Sequence, residues 1–275
     1  MPPADNHRNT PADIAIVVPV LGDTARLRIL LDLIADWTHK PREIVVVAAD
    51  ADPRASVLCD DRGCRYITSE PCRGKQQDLG ARAAESNILW FLHADASPGP
   101  SSLREIARAV AGGAEGGHFK FVFSGSPMRR KAAIEWLTNL RVRLGGIPYG
   151  DQGIFLRRDI YLECGGFPHQ PLFEEVALVR NLRSRGRFRA LAAPLGVSPR
   201  RWERDGWIRR CLNNRRLALA YACGQTAHRL ANRYDRTGPS PGPRPGRPSR
   251  QRSGQASGRL PRRLPADPTN RRSRQ

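Results

Sequence analysis

The sequence predicts an α/β fold: a Rossmann-like, mostly parallel sheet flanked by helices. Three observations lead to it. Short apolar, β-rich runs alternate with segments of helical periodicity from Ile14 onward. Those runs are apolar without alternation, as strands covered on both faces must be. One of them, Ile88–Leu92, ends abruptly in the polar sequence His93-Ala94-Asp95, at the strand end where ligands bind in open α/β sheets.

Taken in order, Ile14–Val20 reads as a strand. Leu27, Leu30, Leu31 and Ile34 fall at i, i+3, i+4 and i+7 of a helix, and Glu43–Val47 is a second strand. A βαβ opening follows. Arg65–Thr68 is a short third strand, Lys75–Glu85 a helix and Ile88–Leu92 a buried strand. Pro98-Gly99-Pro100-Ser101 breaks the chain, Ser101 or Ser102 caps the next helix, and Leu103, Ile106, Ala107 and Val110 share its inner face. The second half is less regular, with strands at His118–Phe123 and Gly153–Leu156 and helices at Lys131–Leu144 and Glu174–Ser184. One domain is expected over residues 12–234, with a first half at 12–97 and a second at 98–234. From Asp235 the chain turns to Arg, Pro, Gly and Ser with no apolar period, so residues 235–275 are expected to form a disordered tail.

The chain has 275 residues and a formal charge of +20, which invites a nucleic-acid reading. Residues 236–275 alone hold eleven Arg against the single acid Asp267, however, so about half the excess lies there. No recognition-helix or stacking-platform motif accompanies it, and nucleic acid is not the expected partner. Six cysteines show neither a CxxC pair nor the CxxxCxxC run of a radical-SAM iron–sulfur enzyme, which fits reduced thiols. No stretch reaches the roughly 18 apolar residues that span a bilayer, and Met1–Asn9 is polar. A cytoplasmic protein is expected, with peripheral membrane contact through the Arg- and Trp-rich segment 200–216 left open.

His93 and Asp95 stand at i and i+2, so an extended segment presents both to one side, toward one ligand or metal. By itself an Asp at a strand end is as often the cap of a turn. Likewise, Glu174-Glu175 in a first helical turn would favour the helix dipole whatever else they do, and Asp151 between glycines suits a turn. Arg73 and Lys75 flank Gly74 in a basic loop that either neutralises phosphate or is simply solvated.

Taken together, in order, the motifs resemble family 2 glycosyltransferases, and within them the radical-SAM/selenodomain-associated transferase group, over roughly residues 12–234. Ile14–Val20 resembles the opening strand and Glu43–Val47 the second. Leu92-His93-Ala94-Asp95 looks like the metal-binding element, and Arg73–Ala81 is similar to the stretch after the third strand. Pro148–Gly153 and Gly165–Pro168 resemble the acceptor-side loops, Pro171–Glu175 the motif that carries the base, and Arg200-Arg201-Trp202 with Gly206-Trp207 the closing segment.

The resemblance implies an A-type glycosyltransferase fold and a metal-dependent, inverting transfer of sugar from a nucleotide-diphosphate donor to an acceptor hydroxyl. It implies a nucleotide pocket made by Pro19, Val20, Asp50, Arg73, Gln76, Asp78, His93 and Ala94. Asp95 would hold Mg²⁺ or Mn²⁺, Asp151 and Gln152 would meet an acceptor of unknown identity, and Glu175, or else Glu174, would be the base. The sequence departs from the family at Ala48, where Asp is usual and Asp50 and Asp52 follow, at Asp78 in place of Asn, and at Glu175 in place of Asp. These departures favour, as the alternative, a degenerate protein that binds a nucleotide sugar without turnover. A nucleotidyltransferase is excluded, because Leu21-Gly22-Asp23-Thr24 after the first strand is no phosphate cradle.

Overall fold

The computed structural model describes residues 12–236, all within one compact unit. The expected disordered tail lies outside the described residues apart from its first two, because the last helix runs through Arg236.

The first half follows the expected alternation. Strands β1 (Ala12–Val20), β2 (Pro41–Ala48), β3 (Arg65–Thr68) and β4 (Ile88–Phe91) pair in parallel in the order β3-β2-β1-β4. Helices α1 (Thr24–Ala35), α2 (Pro53–Asp61) and α3 (Arg73–Ala83) make the crossovers. Alternation along the strands divides the core in two. Ile14, Ile16, Val18, Trp90 and Leu92 pack beneath Leu27, Leu30, Leu31 and Ile34 of α1. Ala15, Val17, Leu89 and Phe91 pack with Ala81 of α3 on the other face. Both faces are thus covered, which is why these strands carry no polar alternation.

Beyond β4 the sheet becomes mixed. Strand β5 (Ala96–Pro98) leads to helix α4 (Ser102–Ala111), β6 (Gly116–Phe123), α5 (Arg129–Arg143), β7 (Phe155–Arg157) and α6 (Arg158–Glu163). Helix α7 (Glu175–Ser184), β8 (Phe188–Val197), α8 (Arg200–Asp205), α9 (Trp207–Ala222) and α10 (Ala227–Arg236) complete the chain. The whole order is β3-β2-β1-β4-β7-β6-β8-β5, with β7 antiparallel to both β4 and β6. Strands β6 and β8 are again parallel, so their carboxyl ends emerge at the same edge as those of β1, β2 and β4.

Strand β8 is absent from the sequence expectations for a physical reason. Its residues, FRALAAPLGV, are rich in Ala, Pro and Gly, types depleted in strands. Pairing with β6 on one side and β5 on the other holds it extended. The helix expected at 75–85 begins instead at Arg73 and ends at Ala83. One sheet therefore crosses the expected boundary at residue 97, since β4 of the first half pairs with β7 of the second.

Candidate active site

The carboxyl edge of the sheet opens into a cavity of about 140 Å³ whose lining includes Arg73, His93, Asp95, Asp151, Glu175, Arg201, Trp202 and Arg210. Five of these, Arg73, His93, Asp95, Asp151 and Glu175, were expected site residues, and Arg201 and Trp202 belong to the closing segment noted in the sequence. The five come from the start of α3, the end of β4, the 3-10 turn Gly150–Gln152 and the first turn of α7.

The Glu174-Glu175 pair is set by an unusual backbone. Phe173, just before them, has φ 60°, the left-handed region that costs a non-glycine residue energy. Its ring packs on Tyr149 and Tyr221 at centroid distances of 5.9 and 4.7 Å, which holds the conformation. The two acids then take different environments. Glu174, 1% exposed, forms a two-pronged ion pair with Arg73, Nη2 to Oε2 at 3.1 Å and Nε to Oε1 closer still. Glu175 accepts one hydrogen bond, from the Gly150 N–H to Oε1 at 2.9 Å, and its Oε2 is buried without a partner. Burial, reinforced by the charge of Glu174, pushes the Glu175 carboxyl well above its ordinary range, with Arg73 opposing.

Arg73 is held in place by its neighbour. A Cβ on Gly74 would stand 2.1 Å from the Pro168 carbonyl oxygen, so only glycine lets the first turn of α3 press onto the 168–170 loop. Gly150 has a similar role, since a Cβ there would lie 2.8 Å from His93 Nε2. That nitrogen is buried without a hydrogen-bond partner, although part of the ring faces the cavity. Burial, helped by the nearby Arg73 charge, lowers the imidazole to about 3, so His93 is neutral at any physiological pH.

Asp95 is partly open, 26% exposed in its side chain, and 3.8 Å from Arg200. Asp151 is raised to about 6 by burial and by the charge of Asp95, against Arg141 and Arg73. Among the described residues no three His, Cys, Asp or Glu cluster as a closed metal site. A lone, accessible carboxylate beside a second acid does not suit structural zinc. It does suit a hard cation such as Mg²⁺, which takes one or two protein carboxylates and completes its shell with phosphate oxygens and water.

The other expected residues surround the cavity without lining it. Gln76 donates from Nε2 to the carbonyls of Val20 and Val47 at 2.9 and 2.8 Å, tying the ends of β1 and β2. Pro19 lies in β1 opposite Val47, and Ala94 packs on the α1 side of the core. Asp50 accepts from the Gly22 N–H at 2.9 Å, holding the loop after β1. Asp52, next along, caps α2 through the Arg54 N–H at 3.0 Å. Asp78 differs most from its expected place. It accepts from Tyr161 Oη at 2.8 Å and Arg82 Nε at 2.9 Å and lies 3.1 Å from His169 Nε2, so its oxygens serve packing on α3. Gln152 is fully buried under the turn, with Nε2 3.4 Å from the Phe119 carbonyl. Arg210 and Tyr234, which complete the cavity, were not singled out from sequence. Both sit in Arg-rich helices that read as solvated, and only the packing of α9 and α10 brings them inward.

No family model matches the chain, and no curated protein matches it in sequence. Its backbone is similar to solved structures of glucosyl-3-phosphoglycerate synthase from Mycobacterium tuberculosis. The complex with phosphoglyceric acid superimposes with TM-score 0.50 at 16% identity, over 66% of this chain and 70% of that one. The complex of that enzyme with Mn²⁺, uridine-diphosphate-glucose and phosphoglyceric acid gives TM-score 0.50 at 17% identity, over 66% and 70%. The complex with Mn²⁺, uridine-diphosphate and phosphoglyceric acid gives 0.50 at 18%, over 67% and 69%. At such identities the likeness is one of architecture, and the architecture of this chain is the A-type glycosyltransferase fold.

Proposed function

We propose that the chain transfers a glycosyl group from a nucleotide-diphosphate sugar to an acceptor hydroxyl with inversion at the anomeric carbon. The observation that carries this reading is the pairing, in one cavity, of a strand-end carboxylate, Asp95, with a buried carboxyl, Glu175, whose Oε1 the Gly150 N–H holds and whose Oε2 has no partner. The sugar and metal named with the M. tuberculosis enzyme support glycosyl transfer from a nucleotide-diphosphate sugar, and the inverting course rests on reading Glu175 as the base. The narrower assignment, to family 2 and its selenodomain-associated group, rests on the ordered sequence motifs.

Glu175 Oε2 is the proton acceptor for the hydroxyl as that oxygen attacks. Glu174 cannot take this part while both its oxygens engage Arg73. The Arg73–Glu174 pair instead fixes the first turn of α7. Neutral His93 and Asp151 shape the floor between Asp95 and Glu175. Asp95 would hold the Mg²⁺ or Mn²⁺ ion, which when bound supplies positive charge to the departing diphosphate.

A protein that binds nucleotide sugar without turnover is the second reading, favoured by the raised Glu175 carboxyl, which is largely protonated at neutral pH. The deciding experiment is calorimetric titration of nucleotide diphosphates with and without Mg²⁺ or Mn²⁺, followed by transfer assays. Metal-dependent binding that Asp95→Ala abolishes, together with turnover, is the expected result. Undiminished binding by folded Asp95→Ala removes Asp95 from the metal site, and binding without turnover favours the second reading.

We also propose contact with a membrane surface. No helix among the described residues is long and apolar enough to cross a bilayer. Helix α9, however, exposes Ile208, Leu212 and Leu219 along one stripe, beside the exposed Arg209, Arg215 and Arg216. That combination suits the boundary of an anionic bilayer.

A further inference from the structure

The cavity wall built by α8, α9 and α10 is cationic in a way the transfer reading does not use. Arg201 Nη1 donates to Tyr234 Oη at 2.9 Å, and Arg210 Nη2 donates to the same oxygen at shorter range. Both guanidiniums also face the Tyr234 ring, 6.0 and 4.5 Å from its centroid. Two cations therefore converge on one phenol. Arg210 is 4% exposed and meets a single carboxylate, Asp205 at 3.1 Å, which Arg204 already occupies at 2.7 Å. Arg210 Nε has no partner. Arg201, a lining residue whose charge is felt by His93 and Asp151, pairs with no carboxylate among the described residues.

Bringing two guanidiniums together has a Coulomb cost, and an oxyanion between them offsets it with charge-assisted, two-pronged hydrogen bonds. The wall also has a side. Leu217 of α9 and Leu230 of α10 pack directly on Leu172, Phe173 and Val176, the segment that carries Glu175, with Tyr234 against the same cluster. Arg210 thus belongs to the half of the cavity from which the base reaches its hydroxyl, and Arg201, next in the chain to the Arg200 that lies 3.8 Å from Asp95, borders both halves.

Building on the transfer reading, we propose that Arg201 and Arg210 bind a phosphate or carboxylate group of the acceptor, so that the acceptor is an anionic hydroxy compound. Its hydroxyl faces Glu175 while its anionic end rests on the α8–α9 wall.

The test titrates inorganic phosphate into the full chain, alone and in the presence of a saturating nucleoside diphosphate with Mg²⁺. The measurements are repeated on Arg201→Ala and Arg201→Lys, both checked for fold by circular dichroism. Arg201 is exposed, so both variants are expected to fold. Loss of about tenfold in phosphate affinity in Arg201→Ala, partial recovery in Arg201→Lys, and nucleotide affinity unchanged within about twofold are expected. Comparison with the variant separates this site from phosphate held by arginines elsewhere. Equal phosphate affinity in wild type and Arg201→Ala overturns the proposal. So does competition between phosphate and nucleotide with parallel loss of both in the variant, which gives the arginines to the donor's diphosphate. Arg201-dependent phosphate binding with no nucleotide binding in the wild type leaves the anion site standing and sinks the transfer reading.

Discussion

Glu175 is the residue on which the chemistry turns, and its environment makes two pH effects testable. As a base it must lose its proton, and burial raises its carboxyl well above the ordinary range, so turnover should climb with pH until Glu175 ionises. Glu175→Gln should keep donor binding and lose roughly 10²–10⁴-fold in transfer, and undiminished transfer would move the base elsewhere. The same shift is a statement about stability. A carboxyl whose folded-state value is raised binds its proton more tightly in the folded protein than in the unfolded chain. Its stabilising contribution is therefore full below the unfolded value of 4.5 and falls as pH rises toward the folded one. The wild type should accordingly lose stability against Glu175→Gln between pH 5 and 8, on the order of 1 kcal/mol or more, read as a widening gap between their thermal midpoints. A gap that does not change with pH would place the Glu175 carboxyl in its ordinary range.

At the scale of elements, the Arg73–Glu174 pair joins the start of α3 to the residue preceding α7, across 101 positions of sequence. Glu174 is closed off while Arg73 keeps 27% of its side chain open, so part of the attraction is screened. Glu174→Gln leaves a guanidinium half-compensated and should cost about 2–3 kcal/mol in urea denaturation. A loss under about 0.5 kcal/mol would mean that the pair contributes no more than a surface bridge does. Helix α9 makes a different test possible because it has two working faces. Arg210, Asn214 and Leu217 line the cavity, while Ile208, Leu212 and Leu219 face outward. The double change Ile208→Asp with Leu212→Asp should reduce sedimentation with anionic vesicles severalfold and leave that with zwitterionic vesicles low throughout. If the double variant sediments as well as the wild type, the outer stripe of α9 is not a membrane contact.

For the molecule as a whole, the parallel half was legible because periodicity carries it. Leu27, Leu30, Leu31 and Ile34 announce α1, and the unbroken apolar runs announce β1, β2 and β4. The cavity was legible where a local signal exists, at His93 and Asp95 on a strand end and at Glu174-Glu175 on a helix start. It was illegible where a role is set by distant partners. Nothing near Asp78 in sequence shows that Tyr161 and His169 will meet it, and nothing near Arg210 marks it out from Arg209, which is exposed. Global charge behaves similarly. The arginines of residues 236–275 supply about half of the +20, so full-length chain should bind polynucleotide with steeply salt-dependent affinity. A chain ending at Arg236 should lose most of that binding and keep its nucleotide-diphosphate affinity. Retained polynucleotide binding would place the contact within residues 12–236.

The sheet order has a further bearing on how the protein is born. Strand β4 waits for β7, some 65 residues later, and β5 waits for the end of β8, about 100 residues later, before its backbone is paired. A ribosome releasing the chain from its amino end therefore leaves the β4 edge of the first half open, Asp95 already beside it, until the second half emerges. The arginine wall comes last of all, with Arg201, Arg210 and Tyr234. Every nascent form short of α10 thus lacks the Tyr234 oxygen that draws the two arginines together, and ligand binding there appears only when synthesis of the folded unit is nearly complete.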